Sequence, residues 1–321
     1  MSKITYAEAL NGAYRIAMKK NEEVFTYGED VRLGAFGVTK GLVEEFGPER
    51  VRNTPISEAA IAGSGVGAAI LGMRPVVEMQ FADVLAISMD HIVNTAAKIR
   101  YLSAGKVSCP LVIRAPMGIG LTLGMHHSQC VESWFMNVPG LQIACPSTPY
   151  DAKGMLLHAI LELNDPVLFL EHKKLYGLKG EVPDEYYSIP FGKGDVKRKG
   201  DAATIVATAM MVHRSIEAAE KLSKDGIELE IIDPRTVKPL DKEIIVNSVK
   251  KTGRLIIVHE APKFGGLGGE ISAIIMEEAM KYLQKPIVRL GGKEIPVPFG
   301  IEEGAAPSVE DIINVVKNIV K

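Results

Sequence analysis

Residues 110–115 read PLVIRA and residues 166–171 read PVLFLE, and these two nearly uninterrupted apolar runs decide the fold class. Successive side chains of a strand point to opposite faces, so a strand with a continuous apolar run must be covered on both faces. This is typical of a parallel sheet between two layers of helices. Similar short runs alternate with longer helical patterns along the whole chain. This alternation predicts an α/β fold with doubly wound, open parallel sheets.

The alternation is interrupted once, at residues 172–200, where Gly, Pro and charged residues are frequent. Such a composition indicates a crossing between domains, and a chain of 321 residues is long enough for about two of them. We expect a first domain at residues 1–180, a linker at 181–200 and a smaller second domain at 201–321. The predicted strands are 24–28, 75–81, 110–115, 140–145, 166–171, 203–208, 227–232, 254–259 and 286–290. The predicted helices are 5–20, 57–72, 86–103, 128–137, 149–163, 210–224, 240–251, 269–283 and 307–320.

The composition disfavours several classes of function. The 37 basic and 39 acidic side chains leave a formal net charge of −2, without the basic blocks expected of a protein that binds nucleic acid or acidic membranes. The longest uncharged apolar stretch, residues 59–73, is shorter than the ~20 apolar residues that a membrane span needs. The first residues lack a signal-peptide pattern, and three cysteines, Cys109, Cys130 and Cys145, are too few for a disulfide framework. We therefore expect a cytoplasmic enzyme.

Glu58 is the first candidate for a catalytic group. It follows Ser57, a typical N-cap residue, and precedes residues 59–73 (AAIAGSGVGAAILGM), which predict a deeply buried helix with glycines one turn apart. A carboxylate in the first turn has an ordinary interpretation as a favourable partner of the helix dipole. In a buried position it would also lose hydration, which makes it a candidate for acid–base chemistry.

A second candidate lies in residues 114–130 (RAPMGIGLTLGMHHSQC), a long glycine-containing stretch between a strand and a helix. His126 and His127 there are candidates for proton transfer near neutral pH, and a buried histidine that caps the next helix is an equally good interpretation. A nucleophilic pair of His127 and Cys130 is disfavoured, because side chains at this helical spacing usually do not point at each other. No spacing of cysteines and histidines indicates a zinc site.

Other motifs favour structural roles. Residues 63–68 (GSGVGA) match a loose dinucleotide-binding pattern but lie inside a predicted helix, and residues 264–269 (FGGLGG) miss the required spacing. His259-Glu260, at the end of a strand, is expected to line either a cleft or an interface, and we favour the interface. Residues 233–235 (Asp-Pro-Arg) predict a turn with a surface ion pair.

With these motifs in place, the chain resembles the β subunit of the thiamine-diphosphate-dependent first component of 2-oxo acid dehydrogenase complexes, a group related to transketolase. The group includes pyruvate, branched-chain and acetoin dehydrogenases. The matching stretches extend over nearly the whole chain and are GEDV (28–31), VTKGLVEEFG (38–47), TPISEAAIAG (54–63), GMRPVVEMQFAD (72–83), PLVIRAP (110–116), HSQC (127–130), PGLQIACPSTPYDAKG (139–154), VKKTGRLIIVHEAP (249–262) and PVPF (296–299).

The resemblance implies a pyrimidine-binding first domain, a transketolase-type C-terminal domain that helps to form subunit interfaces, and thiamine diphosphate as the cofactor. Glu58 corresponds to the glutamate that exchanges a proton with the aminopyrimidine ring of the cofactor. His127 corresponds to the active-site histidine that assists acyl transfer to a lipoyl group. Gln80 and Val84 correspond to positions that approach the aminopyrimidine, although an aromatic residue is expected at Val84.

The resemblance also implies metal ions and partners. Potassium is expected on backbone carbonyl groups in a turn that is one residue longer here than in relatives. Magnesium and the diphosphate are expected mainly on an α subunit, because the GDG motif that anchors them is absent from this chain. The expected assembly is an α2β2 heterotetramer that works with a lipoyl acyltransferase, without nucleic acid or a membrane. The residues corresponding to the potassium ligands are Leu111, Ala159, Ile160, Glu162 and Asn164.

Two other classes of protein are disfavoured. A transketolase or 1-deoxyxylulose-phosphate-synthase fragment would come from a chain that also carries the diphosphate domain, which 321 residues cannot hold. A non-catalytic scaffold subunit would not need Glu58 and His127 in their motifs. For the substrate, residues 172–183 and 231–241 are more similar to pyruvate and acetoin members than to branched-chain members, which remain the alternative.

Overall fold

A computed structural model describes residues 1–321 and contains two large sheets and one two-stranded ribbon. The first part of the chain contains β1 (Ser2–Thr5), α1 (Tyr6–Lys20), β2 (Val24–Gly28), α2 (Leu42–Phe46), β3 (Val51–Asn53), α3 (Glu58–Ile70), β4 (Arg74–Glu78), α4 (Ile99–Leu102), β5 (Val112–Met117), α5 (Glu132–Phe135), β6 (Gln142–Ala144), α6 (Pro149–Leu161), β7 (Val167–His172) and β8 (Lys179–Val182). The second part contains β9 (Asp195–Arg198), β10 (Ala203–Ala207), α7 (Met210–Ser223), β11 (Leu229–Asp233), β12 (Thr236–Lys238), α8 (Lys242–Thr252), β13 (Leu255–Pro262), α9 (Leu267–Glu278), β14 (Val288–Gly292) and α10 (Val309–Val320).

The first sheet has seven strands in the order β12-β6-β7-β5-β4-β2-β3. The two apolar runs that decided the fold class form its centre, where β5 and β7 pair in parallel and all their residues are buried. The predicted α/β class with two open sheets is therefore confirmed. Strands of this kind need helices on both faces, because neither face can be left to water.

The second sheet has five strands in the order β14-β13-β10-β11-β9. Its three central strands pair in parallel, as predicted, but the outermost strand β9 runs antiparallel to β11. In the first sheet, β12 likewise runs antiparallel to β6. The expectation of purely parallel sheets is therefore wrong at β9 and β12. An edge strand pairs with only one neighbour, so a short segment that runs in the opposite direction can form it.

The segment between the two sheets is more ordered than its composition suggests. β8 pairs with β1, and β9 lies within the residues predicted as a linker. β12 comes from the second part of the chain but pairs with β6 of the first sheet, and one apolar core contains buried residues of both parts. The two parts of the chain are thus joined by shared strands and a shared core.

Two predicted helices are wrong in extent. The helix predicted at 86–103 is divided into a 3₁₀ turn (82–88), a π-helical turn (90–96) and α4. This segment packs closely on α3, where the ring of His91 lies 3.1 Å from the place of a Cβ on Gly63. The helix predicted at 128–137 contracts to α5, because Ser128 and Gln129 hydrogen-bond to distant carboxylates instead of starting a helix.

The helix α3 is not deeply buried as its composition predicted. One face packs on the sheet, where a Cβ on Gly65 would lie 3.0 Å from the side chains of Leu111 and Val77. The opposite face, with Ala60, Ser64 and Gly67, is exposed. A helix made almost entirely of small and apolar residues carries no polar stripe, so its sequence cannot indicate which face is covered. No helix of the chain has the length and apolarity to span a membrane.

Candidate active site

The residues singled out from the sequence lie on one side of the first sheet, at the carboxyl-terminal ends of its strands, which we call the carboxyl edge. Glu58 follows β3, Gln80 and Val84 follow β4, and His127 follows β5. These strands are near neighbours in the order β5-β4-β2-β3, and they are mutually parallel. Their carboxyl ends therefore meet at the same edge, which is where open α/β sheets bind ligands.

Glu58 is the first residue of α3 and is half-buried, with no hydrogen bond or ion pair on its carboxylate. The predicted N-cap at Ser57 is wrong as a side-chain cap, because its hydroxyl donates to the carbonyl of Pro55 at 3.2 Å. Burial, Asp30 and Glu58 together raise the pKa of Glu29, so these carboxylates share one electrostatic environment. The free helix N-terminus and the unpartnered carboxylate leave Glu58 available to a ligand.

Three further polar atoms near this edge are buried without a hydrogen-bond partner: Thr54 Oγ1, Gln80 Oε1 and Asp83 Oδ2. Buried polar groups are nearly always paired, so unpaired ones in a cluster of sequence neighbours of Glu58 and Val84 indicate a missing partner. A ring that carries an amino group and ring nitrogens could pair with a carboxylate and amide oxygens of this kind. The donor and acceptor set therefore fits an aminopyrimidine.

Val84 is half-buried and packs against the apolar core, so it contributes no aromatic surface to this edge. The aromatic residue that does so is Phe81, which sequence reasoning missed. Its ring lies edge-on to the ring of His127, with centroids 4.4 Å apart, and also contacts Phe36 at 6.1 Å. Phe81 thus joins the Gln80–Val84 segment to His127.

His127 is half-buried, whereas His126 is exposed. The amide of His127 donates to the carbonyl of Gly124 at 3.2 Å, and its own carbonyl accepts from the ammonium group of Lys173. Burial lowers the pKa of Lys173, and Asp83 partly offsets that effect. The backbone of His127 is therefore held in place, while its ring remains on the aromatic surface of Phe81.

The cysteine near His127 has a different partner. Cys130 Sγ lies 3.5 Å from Glu260 Oε1, and burial raises the pKa of this thiol well above its usual value. Glu260 also accepts from the amide of Ile119 at 2.6 Å and contacts His172 at 2.9 Å. A reactive Cys–His pair is thus not formed, and Glu260 is an interface contact between the two parts of the chain, as His259-Glu260 predicted.

The remaining motifs have structural roles. Residues 63–68 lie inside α3, and a Cβ on Gly266 would lie 2.4 Å from the ring of His259, so the second glycine-rich motif is a close-packing loop. The surface ion pair predicted at residues 233–235 is wrong. Asp233 is fully buried, burial raises its pKa to about 6, and Arg235 donates to Asp151 at 2.8 Å across the contact between the two sheets.

Three of the five carbonyl groups predicted to bind potassium, those of Leu111, Ile160 and Asn164, accept hydrogen bonds from donors of the chain itself. The guanidinium of Arg74 donates to the carbonyls of Ile160 and Leu163, and the amide of Val167 donates to the carbonyl of Leu111 at 2.9 Å. The carbonyl of Asn164 accepts from the amide of Cys109 at 3.0 Å. The guanidinium of Arg74 thus lies at the end of α6, where the ion is expected, and the potassium site stays a prediction. No group of three or more His, Cys, Asp or Glu side chains in residues 1–321 could hold a metal ion.

Comparison with known proteins identifies the family of each of the two parts of the chain. Residues 2–179 match the model of the transketolase pyrimidine binding domain, and residues 192–312 match that of the transketolase C-terminal domain. A solved structure described as a split gene transketolase, inactive beta4 tetramer, is 23% identical, covers 99% of each chain and has a TM-score of 0.81, so it shares the fold.

Relatives of known annotation are similar over nearly the full length. The 2-oxoisovalerate dehydrogenase subunit beta of Bacillus subtilis (strain 168) is 50% identical, covering 97% of this chain and 94% of that protein. The pyruvate dehydrogenase E1 component subunit beta of Rickettsia bellii is 44% identical, covering 98% of each. The acetoin:2,6-dichlorophenolindophenol oxidoreductase subunit beta of B. subtilis is 42% identical, covering 97% of this chain and 96% of that protein.

The fold and the site define a protein of the transketolase class with a pyrimidine-binding domain and a C-terminal domain. Within that class, the chain belongs to the family of E1 β subunits of thiamine-diphosphate-dependent 2-oxo acid dehydrogenases, which are oxidoreductases.

Proposed function

We propose that this chain supplies the pyrimidine side of a thiamine diphosphate site and is catalytically active only with an α subunit. The observation that carries the proposal is the unpartnered Glu58 carboxylate, which lies at the same sheet edge as the unpaired Gln80 Oε1 and the His127 ring. A scaffold subunit would have no need for unpaired polar groups at the carboxyl-terminal ends of the strands, since each buried unpaired group costs about 1–3 kcal/mol of stability.

Thiamine diphosphate, when bound, supplies an electron sink for cleavage of the bond next to a substrate carbonyl. Glu58 would exchange a proton with a ring nitrogen of its aminopyrimidine, and Gln80 would accept a hydrogen bond from the amino group. Val84 would contribute apolar packing, while Phe81 supplies the aromatic surface and excludes water from the approach to His127. The role of the chain is thus to bind, orient and exchange protons.

The partner in this proposal is an α subunit in an α2β2 heterotetramer, which would hold the diphosphate and its magnesium ion. Two features support it. This chain has no GDG motif, and the face of α3 that begins at Glu58 is open, with Ala60, Ser64 and Gly67 exposed. Small residues on an exposed helix face allow another chain to approach closely enough to complete a site around Glu58.

His127 would act in the second half of the reaction, the transfer of the acyl group to the lipoyl group of an acyltransferase. A histidine side chain can serve as the proton donor that the reduction of a lipoyl disulfide requires. The half-buried ring lies close to Phe81 and therefore near the proposed position of the aminopyrimidine.

The proposed substrate is pyruvate, a related 2-oxo acid or acetoin. A branched-chain 2-oxo acid is the second candidate, and the observation that favours it is the 50% identity to the 2-oxoisovalerate dehydrogenase subunit, against 44% and 42% for the pyruvate and acetoin relatives. Residues 231–241, which had favoured pyruvate and acetoin, contain β12 and Asp233 and serve the contact between the two sheets.

The test is reconstitution with an E1 α subunit from the same source, followed by an assay of pyruvate, acetoin and 2-oxoisovalerate with dye and lipoamide acceptors. We expect turnover of one of these substrates by the reconstituted protein and none by either chain alone. Tight thiamine diphosphate binding and decarboxylation by the purified β chain alone would overturn the proposal of a shared site.

A further inference from the structure

Residues 118–128, which we call the histidine loop, wrap around one carboxylate from the other part of the chain. Glu302 Oε2 accepts from the amides of Gly120 at 2.7 Å and Thr122 at 2.9 Å. Glu302 Oε1 accepts from the amide of Gly124 at 2.7 Å and from the hydroxyl of Ser128 at 2.6 Å. Four donors of one loop thus converge on a single side chain.

The backbone of the histidine loop is shaped for an anion. Gly118, Gly120 and Gly124 have positive φ values, and so does Thr122 at 56°, which is unfavourable for a β-branched residue. The amides of Gly120, Thr122 and Gly124 converge in this backbone conformation, and converging amides of a turn form a concavity that binds negative charge. Burial raises the pKa of Glu302, but the hydrogen bonds of Ser128, Gly120, Gly124 and Thr122 lower it overall, so this carboxylate is ionised near neutral pH.

The anchor points lie on both sides of His127. Gly124 and Ser128 donate to the same oxygen of Glu302, and the amide of His127 closes the turn between them by donating to the carbonyl of Gly124. Glu302 itself is 2% exposed and lies in a short turn before α10, which packs in the second part of the chain. The place of His127 is therefore set from outside the pyrimidine-binding domain.

We infer that Glu302 is a positioning residue for His127: its buried carboxylate fixes the histidine loop so that the imidazole faces the proposed cofactor edge. The inference rests on the proposed function and deepens it, because it assigns a role in acyl transfer to the C-terminal domain. Glu302 touches neither substrate nor cofactor in this scheme and acts only through the loop.

The chemistry predicts which half of the reaction depends on this contact. Displacing a proton-transferring group by about 1 Å can lower a rate by ~100-fold even when the mutated residue is remote from the reacting atoms. Oxidation of the decarboxylated substrate by a dye such as 2,6-dichlorophenolindophenol bypasses the lipoyl group, and so does not need His127. Transfer to lipoamide needs it.

The test compares Glu302→Gln with Glu303→Gln in the reconstituted heterotetramer. The amide of a glutamine would direct its NH2 group at two of the four loop donors. Glu303 is the matched control, because it is the adjacent glutamate and pairs with Lys174 and Arg214 without a hydrogen bond to the histidine loop. We expect Glu302→Gln to lower lipoamide-dependent turnover by about tenfold to 100-fold, to change dye reduction by less than about twofold, and to accelerate amide hydrogen exchange in residues 118–128. Glu303→Gln should leave the ratio of the two activities unchanged.

Ser128→Ala keeps the test decisive if Glu302→Gln folds poorly, since it removes one donor to the same oxygen and should lower the lipoamide-to-dye ratio in the same direction by a smaller factor. An unchanged ratio in a folded Glu302→Gln heterotetramer would overturn the inference, and so would equal losses in both assays. Absence of both activities in the unmodified heterotetramer would instead contradict the proposed function.

Discussion

The two halves of the candidate site are built in different ways. Glu58 begins a helix five residues after β3 ends, and its carboxylate has no partner in the chain. His127 lies on a loop whose donors bind Glu302, and Ser128 and Glu302 are 174 residues apart in sequence. The Glu58 half is a local feature whose carboxylate lacks a partner in this chain, whereas the loop of the His127 half is held by a residue of the C-terminal domain.

This difference indicates how the two groups respond to change. A half-buried carboxylate without hydrogen bonds contributes little to folding, so its loss should affect chemistry alone. A histidine whose loop is held by buried carboxylates depends on the packing of the whole chain, so changes near it should couple stability to activity.

The largest effect is expected for Glu58→Gln in the reconstituted heterotetramer. Loss of the ionisable group should lower turnover in both the dye and lipoamide assays by at least ~100-fold, because general acid–base catalysis contributes about that much. The melting temperature should stay within about 2 °C of the unmodified protein, since no hydrogen bond of Glu58 is lost. Glu49→Gln, at a side chain that is 91% exposed, is the control and should change neither quantity. Retained activity in Glu58→Gln would favour the scaffold interpretation.

On the His127 side, Glu132→Gln should change stability with pH. Burial raises the pKa of Glu132 from its ordinary 4.5 to about 7, and its Oε2 has no partner. The folded state keeps this proton to a higher pH, so the associated stability is complete below about pH 4.5 and is lost as the pH rises through about 7. Since a glutamine has no such loss, the variant should be more stable at pH 8 by on the order of 1–3 kcal/mol and similar near pH 4.5.

Thermal or urea unfolding of the Glu132→Gln variant and of the unmodified chain, at pH 4.5 and at pH 8, measures this difference in stability. Equal stabilities of Glu132→Gln and the unmodified chain at pH 8 would show that Glu132 has a solvated or paired carboxylate.

Phe81→Leu tests the contact that joins the two halves. The edge-on ring contact with His127 is lost while the apolar volume is largely kept. Aromatic contacts of this kind contribute about 0.5–1.5 kcal/mol, so lipoamide transfer should fall by about twofold to tenfold, with a smaller effect on dye reduction. If dye reduction falls as much as lipoamide transfer, then Phe81 serves the Glu58 half as well, and the separation between the halves is weaker than the geometry indicates.

The smallest effect is expected from potassium. Arg74 and backbone amides donate to three of the five carbonyls where the ion was expected, so the melting temperature in KCl and in NaCl of equal ionic strength should agree within about 1 °C. A rise of several degrees in KCl alone would indicate that the ion displaces Arg74 or binds elsewhere.

Several elements could be predicted from the sequence because their signals are local. β5 and β7 are apolar along their whole length, and no other arrangement buries such strands. The last predicted helix begins at Val309, with Ser308 as its N-cap and Asp311 completing a capping box. The start of α3 at Glu58 depends on residues within one turn, which is why the candidate acid was visible in the sequence.

Other features had no local signal. The broken helix at residues 82–102 and the half-exposed α3 depend on how these segments pack on each other, which a uniform apolar composition does not encode. Arg74 was not recognised as the cation at the end of α6, because the guanidinium and its carbonyl partners are 86 or more residues apart. Phe81 was missed because the sequence alone does not distinguish an aromatic residue that lines a site from one that packs in the hydrophobic core.

The sequence by itself determined the class of fold, the two parts of the chain and the identity of Glu58 and His127 as candidate acid–base groups. It did so because strands, helix starts and motifs are encoded by neighbouring residues. Only the tertiary structure decided that Asp233 and Arg235 meet between the sheets, that Arg74 donates to a carbonyl of the predicted potassium site, and that Glu302 holds the histidine loop. These contacts join residues far apart in the chain, and their energies depend on burial and on the convergence of several donors, which no short stretch of sequence specifies.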